Sequence, residues 1–166
     1  GVSTVKELIA MAKQQPGEIN YASGATGSIT HLSSEFFAGM AGIKITRVPY
    51  TSATVQITDL MAGRTQMMFG NGSHVIQSIK AGKLKALAVS TREPSALYPG
   101  LPTVSAAGLP GYESAGRTGI FAPAKTPNAI IRRLNQEIVR VINLPEVKEK
   151  FFAHGGDTVG SSPEET

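Results

Sequence analysis

Three short runs of the sequence combine glycine, hydroxyl and amide residues without a single acid: Ser23-Gly24-Ala25-Thr26-Gly27-Ser28, Pro49-Tyr50-Thr51-Ser52 and Gly70-Asn71-Gly72-Ser73. Each follows an apolar extended stretch and precedes a run with helical spacing, so each reads as a passage from a strand into a helix. A helix start carries unpaired N–H groups and about half a unit of positive dipole charge, which favours an anion. General acid–base chemistry needs a titratable side chain beside the substrate, and covalent chemistry needs a nucleophile with a base. These runs hold neither. Their residue types suit capture of a negatively charged group by backbone amides and hydroxyls.

His31 and His74 fall just inside the helices that follow the first and third runs, where either is within reach of the same place. A packed or surface histidine accounts for each equally well, because a lone imidazole without a partner at defined spacing carries little information. His154 reads as structural. Three dispersed histidines without cysteine form no metal-ligand pattern, so no metal and no cofactor is expected. The glycine run lacks both the GxGxxG spacing of dinucleotide folds and the Gly-Lys-Ser/Thr ending of a phosphate loop. A tight turn with Ser28 as helix cap explains it too, as a simple turn explains Asn71 and a core aromatic explains Tyr50. Convergence of the three runs is what points to a site.

The elements that would bring them together alternate along the chain. Thr4 to Gln15 reads as a helix with Thr4-x-x-Glu7 as capping box, Val5, Leu8, Ile9 and Ala12 as its apolar face, and Pro16-Gly17 as its stop. Glu18 to Ala22 is a strand. A second helix places Ile29, Leu32, Phe36 and Met40 on one apolar face and ends near Gly42, and Ile43 to Val48 is extended. A third helix turns Ile57, Leu60 and Met61 inward and stops at Gly63. Thr65 to Phe69 is again a strand, and a fourth helix with Val75, Ile76 and Ile79 ends at Gly82 in a left-handed stop. The run Leu84 to Val89 is nearly continuous in apolar residues, the pattern of a strand covered on both faces. Such alternation predicts α/β architecture with a parallel sheet, whose strand-to-helix loops all emerge at one edge.

The pattern breaks after Ser90. Residues 91 to 116 contain Pro94, Pro99, Pro102 and Pro110 together with Gly100, Gly108, Gly111 and Gly116, the composition of a crossing segment. Thr118 to Ala122 is expected as one more strand. Thr126-Pro127 reads as a cap with proline at the first helical position. The helix beyond has Ile130, Ile131, Leu134, Ile138, Val141 and Ile142 on one stripe. Another begins at Pro145, carries Val147, Phe151 and Phe152, and ends at Gly155-Gly156. Ser161 to Thr166 has the form of a cap and first turn, which reads as a truncated helix.

Composition bounds the function. The chain has 166 residues, 41% hydrophobic and 17% charged, enough for one domain with a core and too apolar for disorder. No run approaches the roughly 20 apolar residues of a spanning helix. The net charge of +4 is spread singly apart from Arg132-Arg133, which fits attraction of small anions and gives no nucleic-acid footprint. Without cysteine there is neither disulfide nor redox motif. The sequence opens at Gly1-Val2-Ser3 without a charged-then-apolar leader, so a signal peptide is expected to be either absent or removed.

Tyr21-Ala22-Ser23, Gly27-Ser28, His31-Leu32 and Glu35-Phe36 resemble the opening signature of the Bug-type (TctC-like) solute receptors of tripartite tricarboxylate transporters. The likeness continues in order through Val48-Pro49-Tyr50, Asp59-Leu60 with Gly63, Ile79 to Leu84, Leu87-Ala88-Val89, Leu101-Pro102-Thr103, Gly119 with Phe121-Ala122-Pro123, Thr126-Pro127, Leu134-Asn135 and Gly160 to Glu165. It spans the whole chain. Departures are Thr51-Ser52 where the family usually has Lys/Arg-Gly, Arg117-Thr118 in place of an aromatic pair, and Lys125 in place of glycine.

The resemblance implies a two-lobed, Venus-flytrap, type II-like binding protein in the periplasm, a monomer when full-length, that captures a small organic acid for membrane permease subunits and transforms nothing. It implies that residues 1–116 are the second lobe, that 117–166 return toward the first, and that the first lobe with its own half of the grip is missing. Ser23, Thr26, Gly27, Ser28, Tyr50, Thr51 and Asn71 then become the expected ligand-binding residues. Thr26, Gly27 and Ser28 would supply N–H or hydroxyl donors, Tyr50 a wall or phenolic donor, and Asn71 an amide for a polar substituent. Two rivals remain open at this point: a small α/β hydrolase or transferase using His31 or His74, and the effector domain of a DNA-linked regulator.

Overall fold

The computed structural model of the protein describes residues 2–116 and 118–165. Gly1, the departure at Arg117 and the final Thr166 of the expected helix start lie outside the described residues. The chain forms two compact units, Gly1–Gly116 and Arg117–Thr166, each described by itself below.

The first unit opens with α1 (Val5–Gln14), capped where the sequence places the cap: Thr4 accepts from Glu7 N–H. Glu7 Oε2 in turn accepts from Ser3 N at 2.6 Å, one residue earlier than a capping box has it. Val5, Leu8 and Ala12 are buried. Then follow β1 (Asn20–Ser23), α2 (Ile29–Ala41), β2 (Thr46–Pro49), α3 (Ala53–Met61), β3 (Met67–Met68) and α4 (Gly72–Lys80). The sheet is parallel, in order β2-β1-β3, with Tyr21 opposite Arg47 on one side and Met67 on the other. The central strand is therefore the first, and the loops after all three strands leave at its carboxyl edge.

Four expectations change. The strand expected over Thr65 to Phe69 contracts to Met67–Met68. The apolar run Leu84 to Val89 forms no strand and is only partly buried. Its pairing is a single bridge, in which Val89 N donates to Pro102 O and Val104 N donates to Val89 O, so these groups are taken by the next segment and not by the sheet. In α3 the inward residues are Gln56 and Ile57, while Met61 is 40% exposed.

The fourth change concerns α2. Ile29, Leu32, Phe36 and Met40 are all exposed, and the buried face is Thr30, Ser33, Ser34, Phe37, Ala38 and Ala41. Small side chains allow close approach, and their hydroxyls are satisfied on the spot: Ser34 Oγ donates to Thr30 O at 2.8 Å and Ser33 Oγ pairs with Ser114 Oγ at 2.6 Å. Tyr112 closes this contact by donating to Ser33 O at 2.9 Å.

Phe37 and Tyr112 sit in the core with Val5, Leu8, Ile19, Tyr21, Met67, Val104 and Leu109. Phe37, Phe69 and Tyr112 meet pairwise with ring centroids 5.6 to 5.9 Å apart, the range of favourable aromatic pairs. The crossing stretch contributes a short helix, α5 (Val104–Ala107), whose Thr103 cap accepts from Ala106 N.

The second unit consists of α6 (Asn128–Ile142) and α7 (Pro145–Ala153), neither of which has a buried residue. Pro127 is the cap of α6 and not its first helical residue, since its carbonyl accepts from Ile130 and Ile131 N–H. Pro145 does stand at the first position of α7. The strand expected over Thr118 to Ala122 is absent among the described residues. Ile120 and Phe121 are 74% and 84% exposed, and apolar β-formers without a neighbouring edge have nothing to pair with. Near the end, Ser162 N donates to Glu165 Oε2 at 2.8 Å and Glu165 N to Ser162 O at 3.2 Å, a single turn over the expected cap.

Candidate functional site

The connections after β1, β2 and β3 meet at one open depression of about 650 Å³ in the first unit. Its wall draws Gly24, Thr26 and Ser28 from the first, Tyr50, Thr51 and Ser52 from the second, and Asn71 from the third. Of the seven expected residues, Thr26, Ser28, Tyr50, Thr51 and Asn71 lie in this wall. Ser23 and Gly27 do not: Ser23 is wholly buried behind it, and Gly27 shapes the turn.

The first connection is held by a compact network. Ser28 caps α2 by accepting from His31 N at 3.4 Å, and Ser28 N donates to Ala25 O at 3.0 Å. Gly24 N donates to Thr30 Oγ1 at 2.9 Å, and Thr30 Oγ1 also meets Ser28 Oγ at 3.1 Å. A Cβ on Gly24 would stand 3.2 Å from Ser28 Oγ, inside the cap itself. Gly27 has φ +82 with open space around it, so the left-handed turn and not crowding demands glycine there.

The second connection is drawn alongside the first because Tyr50 N donates to Ser23 O at 2.9 Å. Tyr50's phenol donates to Asp59 Oδ2 at 2.9 Å, and Asp59 Oδ1 accepts from Arg64 at 2.7 Å. The Arg64 guanidinium, and after it the Tyr50 hydroxyl, hold Asp59 below the usual carboxylate range against a small opposing effect of burial. Burial, followed by the bond to Asp59, raises the Tyr50 phenol. Its proton is thus committed within the protein, leaving the ring as wall and the oxygen lone pairs as acceptors.

Ser52 and Asn71 stand at the caps of α3 and α4, yet neither makes a side-chain cap bond. Two helix starts at the rim of the depression therefore lack the acceptor that capping residues ordinarily provide for first-turn N–H groups. Gln56, in the first turn of α3, lines the depression while only 4% exposed, and its amide nitrogen has no hydrogen-bond partner among the described residues.

Arg47 adds a cation to a wall that the three runs, which hold no Lys, Arg, Asp or Glu, would leave neutral in its side chains. It projects from β2 into the wall, donating from Nε to Ser23 Oγ at 2.8 Å, from one terminal nitrogen to Thr26 Oγ1 at 3.0 Å and from the other to Gly24 O at 2.8 Å. A cation two positions before the second run, on the strand that leads into it, was the available signal. Gln56 was signalled by its place one turn after a helix start, since helical side chains lean back toward the amino end.

The histidines separate. His74 lines the depression. His31 does not, and its Nδ1 accepts from Gly27 N at 3.1 Å. His154 is the C-cap residue of α7, with Nδ1 2.7 Å from Lys150 O. No group of three or more His, Cys, Asp or Glu among the described residues is arranged to hold a metal ion.

Fold and depression together define an open α/β unit with a depression at the carboxyl edge of its sheet. The family model described as tripartite tricarboxylate transporter family receptor (TctC) matches residues 1–166, and the chain belongs to that family. It is 36% identical over 161 residues to the UPF0065 protein in the tcbD-tcbE intergenic region of a Pseudomonas, covering 96% of this chain and 48% of the relative. It is 32% identical over 165 residues to protein BugT of Bordetella pertussis, covering 99% and 51%. The chain thus spans about half the length of these curated relatives. Among solved structures, R. palustris Rpa4515 with adipate matches with a TM-score of 0.91 and 35% identity, over 99% of this chain and 55% of that one. MatC (Rpa3494) from Rhodopseudomonas palustris with bound malate matches with a TM-score of 0.83 and 25% identity, over 98% and 54%.

Proposed function

We propose that this chain is a ligand-gripping lobe, residues 1–116, with a return segment, residues 117–166, of a two-lobed periplasmic receptor. It binds a small carboxylate-containing metabolite, hands it to the membrane permease of a tripartite tricarboxylate-type transporter, and catalyses no reaction. The observation that carries this reading is the meeting of three strand-to-helix connections at one depression whose α3 and α4 starts carry no side-chain cap bond. Such starts attract an anion through peptide N–H groups without a group poised to transform it. Likeness to proteins solved with adipate and with malate supports a carboxylate as the guest.

Within the site, Thr26 and Ser28 offer hydroxyls, Asn71 an amide, and Tyr50 and Thr51 the facing wall, while Ser23 and Gly27 support the turn from behind. The histidine enzyme is disfavoured because His31 lies outside the wall with its Nδ1 bonded to Gly27 N, and His74, which lines the wall, has no Asp, Glu or Cys among the lining residues to work with. Calorimetry on the full-length gene product with a panel of C4 to C6 dicarboxylates tests the proposal. Ser28→Ala and Asn71→Ala are each expected to weaken binding by about tenfold, the effect of one hydrogen bond to a charged group. Unchanged affinity in both variants, or product formed from any member of the panel, sinks the reading.

A further inference from the structure

We propose that Arg47 is a specificity-determining residue of this cleft, the fixed cation that makes it accept a carboxylate and reject the neutral carboxamide of the same shape. The inference rests on the receptor reading above and goes further by assigning the discrimination to one side chain.

Arg47 is the only Lys or Arg among the lining residues of the depression. Guanidinium carries five N–H donors, and three of them are fixed on Ser23 Oγ, Gly24 O and Thr26 Oγ1. All three acceptors are neutral. They orient the group without cancelling its charge, and two donors remain.

The carboxylates on the surrounding helices are engaged elsewhere. Glu35 of α2 takes the Tyr21 phenol, and Asp59 of α3 takes Tyr50 and Arg64. The sequence of α4 has no acid. The ion pairs among the described residues involve Arg64, Arg92, Arg133 and Arg140, and none involves Arg47. A partly buried, rigidly held cation with no carboxylate in ion-pair contact among the described residues, beside helix starts of the same sign, is matched by an anionic guest and mismatched by a neutral one.

A brace with no part in recognition is the competing role, and the experiment separates the two. Calorimetry on the full-length gene product uses succinate, malate, glutarate and adipate, each beside its diamide, against wild type, Arg47→Gln and Arg47→Lys. Wild type is expected to prefer the tightest diacid over its diamide by about 100-fold, and Arg47→Gln to cut that ratio below about tenfold through loss of diacid affinity alone. Arg47→Lys, keeping charge without the fork, is expected to fall between. Should Arg47→Gln not fold, Arg47→Lys and the wild-type salt dependence decide: Kd for the diacid should rise severalfold between about 20 and 200 mM NaCl. Equal weakening toward diacid and diamide in the Arg47 variants, or a salt-independent wild type, overturns the assignment and leaves the receptor reading intact. Failure of wild type to bind any diacid overturns both.

Discussion

Residues 1–116 and 117–166 carry sequence signals of the same kind and use them differently. In the first unit, α1 shows Val5, Leu8 and Ala12 at helical spacing, and all three are buried. In the second, α6 has the cleanest apolar stripe of the chain, yet Ile130 is 50% exposed, Leu134 48% and Val141 40%. The difference is the sheet. Strand β1, paired on both sides, offers a surface on which helices lose water, whereas α6 and α7 have no sheet among the described residues of their unit, only each other and the segment at Gly160 and Ser161. A periodic stripe states which side of a helix is to be covered; it does not supply the cover.

Substitutions that separate core from stripe put this contrast to the test. Phe37→Ala removes a side chain that is 1% exposed among Phe69 and Tyr112, and is expected to cost about 3–5 kcal/mol. Urea unfolding measures it, and a loss below about 1 kcal/mol would mean that the aromatic cluster is not the centre of the first unit.

Alkali should act on the same region. Burial pushes the Tyr112 phenol up to about 12 and raises Tyr21, which is also bonded to Glu35. Below about pH 10 both phenols are neutral in folded and unfolded chain alike, so the preference of the fold for neutral phenol is fully present. Above it the unfolded chain releases protons that the folded chain retains, and stability falls by about 1.4 kcal/mol per pH unit for each such phenol until the folded phenols ionise. Unfolding midpoints at pH 9 and pH 11 measure the loss, and Tyr112→Phe should remove one phenol's share; a flat profile would contradict the burial.

At neutral pH Tyr112→Phe is expected to cost about 1 kcal/mol through loss of the bond to Ser33 O, a carbonyl that keeps its helical partner in α2, again read from urea midpoints. The smallest effect belongs to the second unit. Leu134→Ala in the 166-residue chain should shift stability by no more than about 0.5 kcal/mol, because little area is lost from a half-exposed site. A cost approaching that of Phe37→Ala would show the two regions to be alike after all.

Much of the first unit was legible. The order of strands and helices, the α1 cap and the meeting of three connections follow from periodicity and turn residues. What escaped was decided by packing. Hydropathy alone turns Leu32 and Phe36 inward, but α2 approaches through Ser33 and Ser34, whose hydroxyls find partners that no periodic pattern encodes. The run Leu84 to Val89 has strand composition, yet pairing belongs to two segments, and its partner proved to be the turn at Thr103. In the site, loop residues were readable because glycine and hydroxyl mark turns. Arg47 and Gln56 were fainter signals, since they enter from a strand and from the first turn of a helix, and only the register Tyr21 opposite Arg47 brings the guanidinium to the loop.

The unsatisfied amide of Gln56 has a consequence for how such a molecule tolerates change. Among the described residues that donor meets no acceptor, so a methionine of similar length at that position should make the protein harder to unfold. A screen for heat resistance would then favour replacing a side chain that lines the depression, and so reshape that wall without regard to what it holds.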